Sequence, residues 1–170
     1  MNCPSCGHEN IDGIDRCENC LAPFRQLDIP SAAAAEGLAR SVMEDDLSRL
    51  DHDSTISVAP GTQAVEVARL MKEANTGCAL VVEGGKLVGI FTEHDVLKRM
   101  AGAGHDVAPV AVKELMSSNP ETLHEKASVA EALNKMSLGR YRHIPFQKSD
   151  GTYSVASIKS VLKYIAREDW

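Results

Sequence analysis

Apolar and polar positions alternate between two periods along this chain, and the order of the periods repeats. Residues 55–59, 78–83 and 87–91 read as strands, and residues 63–75 as a helix with Ala64, Val67, Ala68 and Met71 on one face. The same order returns as strands over 120–124, 143–148 and 153–157, with a helix over 128–138 presenting Val129, Ala132, Leu133 and Met136. Ser128 and Glu131 have the spacing of a capping box for that second helix. In each set the last two strands flank a tight-turn signal, Gly84-Gly85 or Asp150-Gly151. A closing helix follows each, over 93–101 and 158–168.

A shift of 65 residues lays the second set on the first without a gap from about residue 54 to 99. Met71 falls on Met136, Ala79–Val81 on Ile144–Phe146, and Val96–Lys98 on Val161–Lys163. One β-α-β-β-α unit buries its sheet poorly alone, whereas two can stack and share a core. The expected fold is therefore mixed α/β: two such units packed as a pseudo-two-fold pair. Upstream, residues 25–40 contain Pro30 and Ala32–Ala35 but no apolar stripe, and read as a linker turning helical near Glu36. Ser41–Leu50 is expected to complete that helix, with Val42, Met43, Leu47 and Leu50 on one side. The expected divisions are a small metal-binding segment at 1–24, a linker at 25–40, and units at 41–104 and 105–170.

Aromatic residues make up 4% of the chain, so the core is aliphatic. The net charge of −6 argues against general affinity for nucleic acid or for an anionic membrane surface. No apolar run approaches the roughly 20 residues of a membrane span, and no basic stretch followed by an apolar one opens the chain, so a cytoplasmic location is expected.

Four of the five cysteines lie in the first 20 residues, as Cys3-Pro-Ser-Cys6 and Cys17-Glu-Asn-Cys20, with ten residues between the pairs. Two such turns can hold four thiolates tetrahedrally around Zn²⁺ at about 2.3 Å; iron is the other metal such a set accepts. Paired disulfides would fit an oxidising compartment, and a redox C-x-x-C would be expected beside a βαβ pattern, which these pairs lack. Roughly 25 residues cannot bury a sufficient core, so the metal must supply the folding free energy, on the order of 10–16 kcal/mol for structural zinc. Gly7 follows the first pair, where a knuckle requires positive φ. The segment resembles the short zinc ribbons that begin many bacterial proteins. Its Glu9, Asp12, Asp15 and Glu18 outnumber Arg16 and Arg25, which favours a protein partner over phosphate. Cys78, in an apolar run, reads as a buried structural thiol.

Thr92 and Asp95 stand where a strand ends and a helix begins. Unpaired N–H groups and the helix dipole favour negative charge there, and a carboxylate can accept from two ribose hydroxyls at once. The same Thr-x-x-Asp spacing is also that of a capping box, and one residue can serve both purposes. Val58 and Ala79 are small apolar candidates to line a flat adenine pocket, and Gly89 removes a side chain near the strand's entry.

Gly89-Ile-Phe-Thr-Glu-His-Asp95, Arg142-His-Ile-Pro-Phe146 and Lys113-Glu-Leu-Met116, set in this repeat, resemble a pair of CBS domains, the Bateman module, over residues 41–167. The resemblance implies a regulatory, non-catalytic module that forms a homodimer and binds an adenosine-containing ligand such as AMP, ADP or ATP. It gives Asp95 the ribose, places Thr92 beside ribose and phosphate, and sets Arg142 and His143 across the cleft as phosphate contacts. Solvated charge at Arg142 and a satisfied strand residue at His143 are the alternative. With few other cations in view, a monophosphate or diphosphate is easier to neutralise than a longer chain. The shift maps Thr92, Asp95 and Gly89 onto Ser157, Ser160 and Ser154, so one cleft is expected to be competent and the other degenerate. No nucleophile–base pair or Walker-type loop is present, and His94, His105 and His124 have no partner set for catalysis or metal. The competing functional reading is a ligand-free dimerisation scaffold whose ribbon carries the function by binding protein or nucleic acid.

Overall fold

The 65-residue shift relates the backbone as well as the apolar pattern. A computed structural model describes residues 3, 6–11, 16–20, 36–51, 54–100 and 109–167. The chain divides into two units, Met1–Arg40 and Ser41–Trp170. Residues 25–35 of the expected linker, and His105, lie outside the described residues.

Helix α1 is Gly37–Glu44, and a 3₁₀ turn follows at Leu47–Arg49. The single helix expected through Leu50 is thus two pieces. Asp46 is extended (φ −85°, ψ 170°) and its carboxylate accepts from the Ser48 N–H at 3.1 Å, which starts a fresh turn. Leu47 and Leu50 are buried, whereas Val42 and Met43 are only half-buried.

The first motif runs β1 (Ile56–Val58), α2 (Ala64–Glu73), β2 (Cys78–Glu83), β3 (Lys86–Thr92) and α3 (Glu93–Asp95), the last continuing as a π-helical turn, Val96–Met100. After α4 (Val112–Leu115) and β4 (Ser117–Ser118), the second runs β5 (Leu123–His124), α5 (Val129–Gly139), β6 (His143–Gln147), β7 (Tyr153–Ser157) and α6 (Ile158–Ile165). β1 is parallel to β2, β3 antiparallel to β2, and β4 antiparallel to β3; β5, β6 and β7 repeat the first three. The registers agree under the shift up to Val81, where a bulge in β2 departs from β6: Val58 faces Val81 as Leu123 faces Phe146, and Ala79 faces Phe91 as Ile144 faces Ala156, whereas Val82 faces Leu87 and Gln147 faces Tyr153. Gly84 (φ +56°) and Gly85 (φ +78°) turn β2 into β3, a two-residue hairpin that needs positive φ at both positions.

Strand alternation divides the apolar residues of the first sheet. Ala79, Val81 and Phe91 pack with Ala64, Val67 and Met71 of α2. Cys78, Leu80 and Ile90 face the other way and meet Tyr153 and Val155 of the second motif, so the two sheets share an interface. Cys78, at 3% exposed, is the buried thiol its apolar run indicates.

The segment leading into each motif docks on the other motif. Val112, which opens α4 after the first motif, is fully buried in the first core, with Leu115 against it. Its N–H donates to Thr62 O (2.8 Å), and Ala64 N–H donates to Val110 O (2.9 Å). Exchanging the two motifs by the 65-residue shift gives the reciprocal contacts: Leu47 N–H donates to Ala127 O (3.0 Å) and Val129 N–H to Asp45 O (3.0 Å). Tyr164 in α6 seals the second junction by donating its hydroxyl to Asp45 Oδ2 at 2.8 Å. Burial, followed by that hydrogen bond, pushes the Tyr164 phenol up to about 12.

Leu47 precedes the first motif in sequence but is fully buried beside the second. Leu47→Ala is expected to cost about 2–5 kcal/mol. By hydrogen exchange it should deprotect α5 and β6 at least as strongly as α2 and β2; loss confined to α2 and β2 would contradict the crossed arrangement.

Candidate ligand cleft and metal centre

In the N-terminal unit, the Sγ atoms of Cys3, Cys6, Cys17 and Cys20 all lie within 4.8 Å of one another. Cys3 to Cys20 and Cys6 to Cys17 are each 3.6 Å. A tetrahedron with metal–sulfur bonds of about 2.3 Å spaces its sulfurs about 3.8 Å apart, so the four cysteines can hold a metal ion. Gly7 takes φ +70° after the first pair and donates its N–H to Cys3 O at 2.8 Å. Cys17 is fully buried, which by itself would raise its thiol. Hydrogen bonds from the backbone N–H groups of Cys20 and Asn19, then the Cys6 and Cys3 thiols, instead lower it to about 6, toward the thiolate that a metal requires. Asn10, which no sequence pattern marks, ties the two halves together. It is 4% exposed, donates to His8 O (2.7 Å) and accepts from Glu18 N–H (2.9 Å). His8 is exposed.

In the second unit the β3–α3 junction closes as a capping box. Asp95 Oδ2 accepts from Thr92 N–H at 3.0 Å and from Thr92 Oγ1 at 2.7 Å, while Thr92 Oγ1 accepts from Asp95 N–H at 3.4 Å. The capping role is thus real, and Asp95 is 5% exposed. The same two residues line a cavity of about 400 Å³, with Arg142 and His143 on its other wall. Four of the six residues expected in the cleft therefore converge. Val58 and Ala79 do not join them: β2 is an interior strand, its alternation turns Ala79 toward α2, and Val58 packs against that same core.

Residues not anticipated for the site complete the wall. Arg140 is exposed and also lines the cavity. It ends α5 at φ +54°, where the first motif has Asn75 at φ +51°. Asparagine adopts this region readily and arginine does not, so the wall holds backbone strain. The Tyr141 ring lies across Gly139, where a Cβ would stand 1.8 Å from Cε1. Its hydroxyl donates to Glu121 Oε2 at 2.6 Å, and Lys135 pairs with the other oxygen. Lys135 first, then Tyr141, hold the Glu121 carboxyl below its usual range, while burial and Glu121 raise the Tyr141 phenol.

The pseudo-equivalent cleft is nearly closed, at about 20 Å³, room for about one water. Thr55, Thr76, Gly77, Val155 and Ser157 line it, and the shift carries these onto Pro120, Tyr141, Arg142, Ile90 and Thr92 of the larger cavity. Ser157 and Ser160 repeat the capping box and are buried, with Ser160 Oγ donating to Ser157 O at 2.8 Å. His143 fills this cleft: its Nε2 lies 2.6 Å from where a Cβ on Gly77 would stand. His143 is thus shared between the clefts, and its match in the first motif is Cys78, too small to play the same part. His94 lines the larger cavity, and His124 Nδ1 accepts from Lys126 N–H at 3.4 Å.

A family model for the CBS domain matches residues 39–102 and 112–167. The CBS domain-containing protein CBSCBSPB1 of Arabidopsis thaliana is 31% identical over 118 residues, which are 68% of this chain and 22% of that one, so this chain spans about a fifth of its length. The crystal structure of an uncharacterized conserved protein from Pyrococcus horikoshii is similar with a TM-score of 0.65 at 26% identity, covering 74% of this chain and 96% of that one. The CBS domain pair of protein MJ0100, crystallised with 5′-methylthioadenosine and S-adenosyl-L-methionine, has a TM-score of 0.63 at 21% identity over 72% and 100% of the two chains, a likeness of fold. Among the described residues no helix is long and apolar enough to cross a membrane.

Gly77→Ala would drive a methyl group into the His143 ring and is expected to destabilise by about 1–3 kcal/mol in urea titration. In a double-mutant cycle His143→Ala should relieve most of that cost; strict additivity would show that the ring does not occupy the closed cleft.

Proposed function

The chain belongs to the CBS-domain family, and from that premise we propose that it is a regulatory module: an adenosine-containing nucleotide is sensed at Asp95, and a zinc-folded ribbon contacts a protein partner. The observation that carries the reading is the convergence of Thr92, Asp95, Arg142 and His143 on one cavity of about 400 Å³. That volume lies within the usual range of small-molecule sites, roughly 300–1,000 Å³. The Asp95 carboxylate, already held rigid by the cap, meets the ribose hydroxyls. Arg142 presents a planar fork of donors to a phosphate, and Thr92 stands between them.

The cavity is walled by both motifs, since Thr92 and Asp95 come from the first and Arg142 and His143 from the second. A ligand bridging them favours one relative setting of the motifs over others, and it regulates to the extent that its affinity differs between those settings. The module supplies no catalytic group in this reading. In the ribbon, four thiolates suit zinc; a closed four-sulfur site leaves no position for water, so this zinc folds the segment and takes no part in chemistry. Among the described ribbon residues Glu9 and Glu18 are exposed along with Arg16, a balance of charge that suits a protein partner better than phosphate.

Titration calorimetry with AMP, ADP, ATP and S-adenosylmethionine is expected to show one site per chain. Asp95→Ala should abolish it and Ser160→Ala should leave it unchanged; absence of heat with all four at millimolar concentration would overturn the sensing role. Elemental analysis should find one zinc per chain, and a strong chelator should unfold the ribbon while leaving nucleotide affinity unaltered. Iron in place of zinc, or a ribbon that stays folded without metal, would contradict the assignment.

A further inference from the structure

Beside the cleft at Asp95 lies a groove of about 800 Å³, walled chiefly by α2 and the loop after it, by α3 with its π-helical turn, and by α6. Six of its lining residues are apolar: Ala68, Met71, Val96, Leu97, Ile158 and Leu162. Met71 is buried and Ala68, Val96 and Ile158 are half-buried, but Leu97 and Leu162 are 69% and 60% exposed. The 65-residue shift carries Leu97 onto Leu162, so each motif brings the same leucine to the groove. Single exposed leucines are ordinary; two beside a hollow that is itself apolar form a contiguous patch. The charged residues of the groove are Lys72, Lys159 and Arg142 against Glu93 alone, on a chain whose net charge is −6. Lys159 lies in the first turn of α6, which holds no acidic residue, so the helix dipole adds to the positive field.

We propose that this groove receives an amphipathic helix of a protein partner, its apolar face in the hollow and its acidic residues toward Lys72 and Lys159. The proposal stands apart from the nucleotide reading and does not involve the ribbon. A small anion would gain nothing from six apolar walls, and a purely apolar ligand nothing from three cations. The apolar surface also runs outward over Leu97 and Leu162, beyond what a molecule seated inside the hollow would cover. A helix about 10 Å across lies over that edge as well. An extended peptide needs a strand edge for its backbone, and these walls are mainly helices and a loop. A helix satisfies its own backbone and asks the groove only for apolar pockets and matching charge. A second copy of this chain, docked by the same face, would set Lys72, Lys159 and Arg142 opposite their own equivalents. An acidic helix meets those cations with opposite charge instead.

The test is fluorescence anisotropy on the full chain with two labelled synthetic helices of about 18 residues, both with leucines at helical i, i+3, i+4 and i+7 spacing. One carries glutamates on the flanks of that stripe and the other lysines. The glutamate peptide should bind at least about tenfold more tightly than the lysine peptide, and should weaken as salt rises. Leu97→Ser/Leu162→Ser should weaken it about tenfold, and Lys72→Glu/Lys159→Glu should reverse the preference between the two peptides. All four positions are exposed, so both variants are expected to keep the wild-type melting temperature. Failure of both peptides to bind, equal binding of the two, or wild-type affinity in the leucine variant overturns the proposal. Sedimentation velocity on the same samples covers the other occupant: a wild-type dimer that dissociates in the leucine variant assigns the groove to a second copy and overturns it as well.

Discussion

Each motif is completed by a segment that precedes the other one in the chain. Leu47 and Val112 are both fully buried, 65 positions apart, each where a reciprocal pair of backbone hydrogen bonds fastens its segment to the opposite motif. Without this crossing the two sheets would be joined mainly by the face that carries Leu80, Ile90 and Val155. With it, the backbone groups at the start of α2 and α5 find partners that their own motifs do not provide. The cleft depends on that arrangement, because its two walls come from different motifs and a ribose-to-phosphate span tolerates little error in their separation.

A near-symmetric backbone carries asymmetric chemistry. Thr92 and Ser157 cap their helices with almost the same geometry, φ −125° and −121°. The difference lies in what the side chains leave behind. Asp95 gives a carboxylate where Ser160 gives a hydroxyl turned back on its own helix. Gly77 in the first motif leaves a gap that His143 of the second enters, while Arg142, the counterpart of Gly77, stands at the wall of the open cleft. One substitution pair thus closes one cleft and furnishes the other with a cation.

Much of this could be read in the chain. The repeat, its strand order and both capping positions follow from apolar periodicity and spacing, since those are local signals with fixed periods. The four cysteines were legible for the same reason: the spacing of two C-x-x-C turns is itself the coordination geometry. The crossing was not legible, because Val110 and Ala64 meet through backbone atoms that carry no side-chain signature. Val58 and Ala79 were expected in the cleft because they are small and apolar, but size does not say which face of an interior strand a residue occupies. His143 reads as a phosphate ligand in one dimension and as the plug of the other cleft in three. Asn10 gave a single polar letter, and only its burial reveals its work in the ribbon.

The central claim is that one cleft, the one bounded by Asp95 and Arg142, takes the nucleotide. Backbone amide NMR during titration with AMP tests it most directly. The account predicts saturable shifts at Thr92, Asp95, Arg142 and Tyr141, with Thr55 and Ser160 moving little. Shifts centred on Thr55, Ser157 and Ser160, or of equal size at both junctions, would contradict it.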